Sequence, residues 1–331
     1  MDLTTRYLGM TLRNPLIASA SPLTGNLDNI RQLEDFGAGA VVLPSIFEEQ
    51  IDREQELFDG LMSRGVDSFG EALTYFPATT AYALNTETYI DVLEAAVKAV
   101  DIPIIASLNG ITDHGWIDYA RQLEEVGASA LELNIYFIPS DLAMSGTDVE
   151  MRYIEIVKAV KSSVHIPIAV KIGPYFSSPG HMVTQLDQAG ANGLVLFNRF
   201  YQPDIDLARL ALTFELKLSS AYEMRLSLLW IGILAGRIKA SLAATSGVNS
   251  GEEVIKYLLA GADAVMTTSA LLKHGLPYIK VLLNQLEAWL DARGLYSPNQ
   301  IRGRMSQKAM PDPASYQRAN YIKVLQSYVV S

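Results

Sequence analysis

A chain of 331 residues can form one large α/β barrel or two average domains, and its 49% hydrophobic content suffices for an extensive core. Charged residues make up only 19% and the formal charge is −10, which disfavours a disordered chain and a nucleic-acid surface, because phosphate backbones require a basic face. With no cysteine, disulfides, thiolate zinc sites, Cys-ligated iron–sulfur clusters and a cysteine nucleophile or base are excluded.

The N-terminal MDLTTRYLGMTLRNP lacks the basic-then-apolar order of a secretion signal, and a cytoplasmic protein is expected. NPLIASAS supplies a first strand over 16–20. QLEDFGAGAVVL then reads as the end of an amphipathic helix, a Gly37-Ala38 stop and a strand over 39–44. Glycine just past a helix end takes the left-handed conformation that closes the last turn. The same form recurs in QLEEVGASALEL around Gly127, QLDQAGANGLVL around Gly190 and YLLAGADAVMTT around Gly261, predicting strands over 130–135, 193–198 and 263–267. Between these, DIPIIAS, HIPIAVKI and IKASLAATSG predict strands over 103–107, 167–172 and 240–245.

Apolar strands alternating with helices imply a parallel sheet buried on both faces, and eight of them imply a (β/α)8 TIM barrel, with a doubly wound open sheet as the rival. No linker marks a second domain, so residues 1–331 read as one barrel domain. Two βα insertions, 45–84 and 199–223, fall where barrels build active sites. The apolar run LSLLWIGILAG, 226–236, is shorter than the roughly 20 residues that span a bilayer and reads as a buried barrel helix. The tail, 298–331, reads as an appended cap or interface.

Chemistry in a barrel sits at the C-terminal strand ends. There the sequence offers Ser19, Ser21, Ser45, Ser107, Asn109, Asn134, Lys171, Asn198, Thr245, Ser246 and Thr267 to Ser269: neutral hydrogen-bonding groups around one cation, with no carboxylate among them. His114, His165, His181 and His274 have no metal spacing. Metal and sugar hydrolases, which need clustered His or carboxylates, are therefore disfavoured. Lys171 ends an otherwise apolar strand and either snorkels past its end or faces a polar cavity or an anion. TSGVNSGEEV after strand seven contains the Ser250/Glu253 capping box, and MTTSALL after strand eight opens another helix. Together they occupy the place where barrels commonly bind phosphate. A phosphate site, a lysine and asparagines suit flavin mononucleotide (FMN).

The chain resembles the dihydroorotate dehydrogenase family, especially its soluble class 1 members, from DLTTRYLGMTLRNPLIASASP to LLAGADAVMTTSALLKHG. The resemblance implies FMN, flanked by Ala20 and Ser21, with Ser107 at a flavin-contacting Asn position, Asn134 touching flavin and substrate, and Lys171 as the flavin lysine. It implies a backbone phosphate cradle at Ser220, Ser246, Gly247, Thr268 and Ser269, and places Asn198 and Arg199 at the substrate-binding pair. The family's strand-two lysine falls at Pro44, with Ser45 the adjacent polar group, and its substrate loop is replaced by DSFGEALTYFP. Where the family carries a Cys or Ser base, Phe137 stands, next to Tyr136. Tyrosine, whose ordinary pKa is about 10, is a poor base but can act as an acid, which makes Tyr136 the candidate catalytic residue.

The expected activity is hydride transfer between a small-molecule substrate, less polar than orotate, and the flavin. Two alternatives stay open: a flavin-holding barrel without turnover, and a dihydroorotate dehydrogenase with a displaced base. A homodimer is expected, with room for a redox partner protein and no nucleic-acid or membrane partner.

Overall fold

The computed structural model describes residues 1–47, 50, 86–110, 114–200, 203–317, 321 and 325–327. Nearly all of the first insertion, including DSFGEALTYFP, lies outside the described residues.

The chain opens with an antiparallel hairpin of β1 (Thr5–Tyr7) and β2 (Met10–Leu12). Its two-residue turn has positive φ at both positions, Leu8 (53°) and Gly9 (80°), the twist that suits paired antiparallel strands. A leucine tolerates that backbone because it is buried and its N–H donates to Ser241 Oγ.

Eight parallel strands follow: β3 (Leu16–Ala18), β4 (Ala40–Phe47), β5 (Ile104–Asn109), β6 (Ala130–Asn134), β7 (Ile168–Ile172), β8 (Gly193–Leu196), β11 (Ser241–Ala244) and β12 (Ala264–Thr267). They close into a barrel in the order β11-β12-β3-β4-β5-β6-β7-β8. All eight expected strands are present, and closure removes the open-sheet rival. β4 runs past its expected end to Phe47, with a register shift between Val42 and Ser45. Pro44 lies between them and has no N–H for the ladder, which is why the irregularity falls there.

The helices of the outer ring include α1 (Leu27–Asp35), α2 (Thr86–Ala99), α3 (His114–Val126), α4 (Gly146–Ser163), α5 (Pro179–Gln188), α6 (Met224–Leu234), α7 (Gly251–Ala260), α8 (Ser269–His274) and α9 (Tyr278–Asp291). The four Gly-Ala stops share one geometry. Gly37, Gly127, Gly190 and Gly261 have φ between 102° and 122°. The alanine N–H after each reaches back into the helix, as in Ala38 to Leu33 and Ala191 to Leu186, 2.8 and 3.1 Å. This satisfies carbonyls that the helix end would otherwise orphan and turns the chain straight into the next strand.

The core has two parts. One lies between barrel and helices. The other fills the barrel's N-terminal half, where Ala40, Ala130, Ala169, Ala243 and Ala264 are so small that Tyr7, Leu8 and Leu12 of the hairpin enter as a plug. A Cβ at Gly193 would lie 2.4 Å from Leu8 Cδ2, so glycine there makes room for the plug.

The apolar run 226–236 is corrected in one respect: α6 is an outer-ring helix, and Leu226 and Leu229 are exposed. No helix among the described residues is long and apolar enough to cross a membrane. The tail docks on α6 and α7 through Gly303 N–H to Leu258 O, Met305 N–H to Leu259 O and Gln307 N–H to Gly232 O. The second insertion carries a small hairpin of β9 (Asp204–Asp206) and β10 (Ala211–Thr213).

Candidate active site

A cavity of about 710 Å³ opens at the C-terminal ends of the barrel strands. It is lined by Ser19, Ala20, Ser21, Ser45, Asn109, Asn134, Tyr136, Lys171, Asn198, Arg199, Thr245, Ser246, Gly247, Thr267, Thr268 and Ser269, so sixteen positions singled out in the sequence converge on one space. Two others do not line it. Ser107 lies behind the wall, its Oγ 2.8 Å from Ser45 Oγ and its N–H donating to Tyr89 Oη, while Asn109 at the strand tip faces the cavity. Ser220 faces outward in a capping box with Glu223, and its neighbour Ser219 lines the cavity instead.

Ser219 organises one corner. Its Oγ lies 2.9 Å from Ser269 Oγ, and it accepts the Gly247 N–H at 3.2 Å. Ser246 and Gly247 both have positive φ, 77° and 73°. Behind them the buried Tyr257 hydroxyl donates to Ser246 O at 2.8 Å. Burial pushes the Tyr257 phenol well up, so it stays a donor. Thr268 is the N-cap of α8 but gives it no side-chain cap, so the first turn presents backbone N–H groups beside the cavity.

At the ends of β6 and β8, the Asn198 amide donates to Asn134 Oδ1 at 2.6 Å. Asn134 pairs in register with Lys171 on β7, and Lys171 Nζ lies 3.4 Å from Glu132 Oε1. Glu132 is fully buried in the barrel, and its other oxygen has no partner among the described residues. Tyr7 Oη, on the plug, is also buried and has no partner among the described residues; burial first, then the Glu132 charge, holds its proton tightly.

Sequence reasoning missed Glu132, because it sits one layer below the strand end. The signal was present: Leu131, Leu133 and Ile135 alternate with Glu132 and Asn134 on a strand covered on both faces, which must turn the polar pair into the barrel. Removing one member of a buried ion pair strands the other. Lys171→Met is therefore expected to destabilise the protein by about 3 kcal/mol or more, with most of that loss recovered by adding Glu132→Leu. Urea unfolding of the two single variants and the double variant checks the coupling.

The stretch after β6 departs from the expected site. Tyr136 lines the cavity, its ring 4.4 Å from that of Phe200. Phe137 turns away into a neighbouring cavity, with the Arg152 guanidinium 4.5 Å over its ring. Arg199 lines the main cavity but is already engaged, its Nε 2.9 Å from Glu223 Oε1 and its Nη1 donating to Lys217 O. A substrate carboxylate would have to compete with Glu223 for it. His165, His181 and His274 are exposed, and no group of metal-binding side chains occurs among the described residues.

Neutral hydrogen-bonding groups and a buried lysine thus line one cavity at the C-terminal face of a (β/α)8 barrel. The kinship is more particular than the class. A sequence model of the dihydroorotate dehydrogenase family matches residues 2–290, and the chain belongs to that family of flavin-dependent oxidoreductases. Similar proteins include the dihydroorotate dehydrogenase B (NAD(+)) catalytic subunits of Thermoplasma acidophilum and Methanothermobacter thermautotrophicus. The first is 23% identical over 318 residues, spanning 91% of this chain and 98% of that one. The second is 24% identical over 321 residues, spanning 91% and 97%. The Pyrococcus furiosus protein of the same name is 25% identical over 310 residues, spanning 92% and 98%.

Proposed function

We propose that this chain is an FMN-dependent oxidoreductase acting on a CH–CH bond of a small substrate other than dihydroorotate. The observation that supports this most is the joint placement of the Ser219/Gly247/Ser269 corner and the Asn134/Lys171/Asn198 wall on one cavity. The cavity volume of about 710 Å³ lies within the range of cofactor pockets. The corner supplies hydroxyls and backbone N–H groups suited to a phosphate, and Lys171 supplies the cation that favours electron uptake by a ring held against it. FMN, when bound, supplies the two-electron hydride acceptor.

The asparagine pair then defines the substrate edge. Asn198 spends one N–H on Asn134 Oδ1, which leaves Asn198 Oδ1 as an acceptor and Asn134 Nδ2 as a donor side by side. An amide group, one donor beside one acceptor, complements that edge. Tyr136, on the same cavity, is the hydroxyl placed to hold or deliver a proton. The relatives' names as catalytic subunits support a separate redox partner for this chain.

The purified protein is expected to show a flavin absorption spectrum, with about one FMN per barrel. A colourless protein that takes up no added FMN would overturn the proposal. Phe137 also favours a second reading, a barrel that holds flavin without turnover. Chemical reduction followed by reoxidation with candidate acceptors separates the two.

A further inference from the structure

Beside the main cavity lies a second one of about 310 Å³, walled by Phe137, Val149, Tyr153, Tyr175, Phe176 and Phe200. The same three strands build both spaces. After β6, Asn134 faces the main cavity and Phe137 the second; after β7, Lys171 is followed by Tyr175 and Phe176; after β8, Asn198 is followed by Phe200. Each strand end thus gives a polar side chain to one cavity and, a few residues on, an aromatic ring to the other.

The two cavities share no lining residue and meet at a ring contact. Tyr136 lines the main cavity, Phe200 lines the second, and their ring centroids are 4.4 Å apart. The position of Phe200 depends on Gly173, where a Cβ would lie 2.8 Å from Phe200 Cζ. Tyr153 and Phe176 meet edge to face at 5.3 Å. Burial pushes the Tyr153 phenol up to about 12, and it is hydrogen-bonded to the backbone of Phe137.

We infer that the substrate is bipartite: an amide head on the Asn134–Asn198 edge, and an aryl or short branched-alkyl tail in the second cavity. This rests on, and deepens, the reading of the main cavity as the flavin and substrate site. The second cavity has room for one aryl ring and part of a linker. Joining the two spaces takes a rotamer change of Tyr136 or Phe200, a step between staggered wells rather than a backbone rearrangement. A small polar ring such as dihydroorotate has no group to place there.

The test compares propanamide with 3-phenylpropanamide on the FMN-loaded, full-length protein, with binding read from the flavin spectrum. The phenyl compound is expected to bind roughly 10- to 100-fold more tightly, the gain from burying one aromatic group. Val149→Phe, which fills the second cavity, should abolish that gain while leaving FMN content and propanamide affinity unchanged. Crystals soaked with 3-(4-bromophenyl)propanamide should place the bromine, by its anomalous signal, among Phe137, Phe176 and Phe200. Equal affinities for the two amides, or bromine in the main cavity or on the surface, would overturn the inference. A protein without flavin would refute the cofactor reading separately, and the bromine position would still decide the bipartite site.

Discussion

Steady-state assay with dihydroorotate and a range of electron acceptors is expected to give a rate about 10²- to 10⁴-fold below that of a barrel with a competent base, the range that general acid–base catalysis contributes. Three observations set this expectation. Phe137, which the sequence resemblance puts at the position of the family's base, points into the apolar side cavity, beneath Arg152. Pro44, which the resemblance puts at the position of the strand-two lysine, offers no cation and lies at the register shift in β4. Arg199, which lines the cavity, is paired with Glu223 at 2.9 Å. Turnover at ordinary enzyme rates would show that another group takes the proton. Tyr136→Phe is the variant to apply next, since Tyr136 lines the cavity at that end of the asparagine wall.

Gly247→Val is expected to strip the protein of FMN. The backbone there has φ of 73°, a region that β-branched residues scarcely enter. A Cβ would also lie 2.7 Å from Met224 N and 2.9 Å from Ser220 O, both backbone atoms that cannot swing aside. The loop after β11 must therefore shift and carry the Ser219/Ser269 corner with it. Hydrogen bonds to a charged group contribute about 1.5–3 kcal/mol each, so losing two weakens binding by about 10² or more. Flavin absorbance after gel filtration reports the loss, and circular dichroism reports whether the barrel persists. A variant that keeps its folded spectrum and its full flavin content would place the phosphate elsewhere. Ser269→Ala, which removes one hydroxyl without moving the backbone, should have a smaller effect.

The sequence by itself determined the barrel. Strand periodicity and the Gly-Ala stops depend on residues within about one helical turn, so Gly37, Gly127, Gly190 and Gly261 could be read locally and reappear with one geometry. Because all eight strand ends of a barrel open on one face, their polar residues could be grouped without knowing any contact. Asn134, Lys171 and Asn198 do share a cavity.

Only the tertiary structure decided what those residues touch. The Glu132–Lys171 pair joins positions 39 apart in the chain, and the Asn134–Asn198 bond joins positions 64 apart. Such contacts depend on barrel register, which no local pattern encodes. Register and strand length also placed Asn109 at the cavity and Ser107 behind it, although alternation puts both on the same inward face. In the loops no periodicity constrains direction. Whether Ser219 or Ser220 faced the cavity, and which way Phe137 turned, was settled by packing against Ser269 and Gly247 in one case and Arg152 in the other.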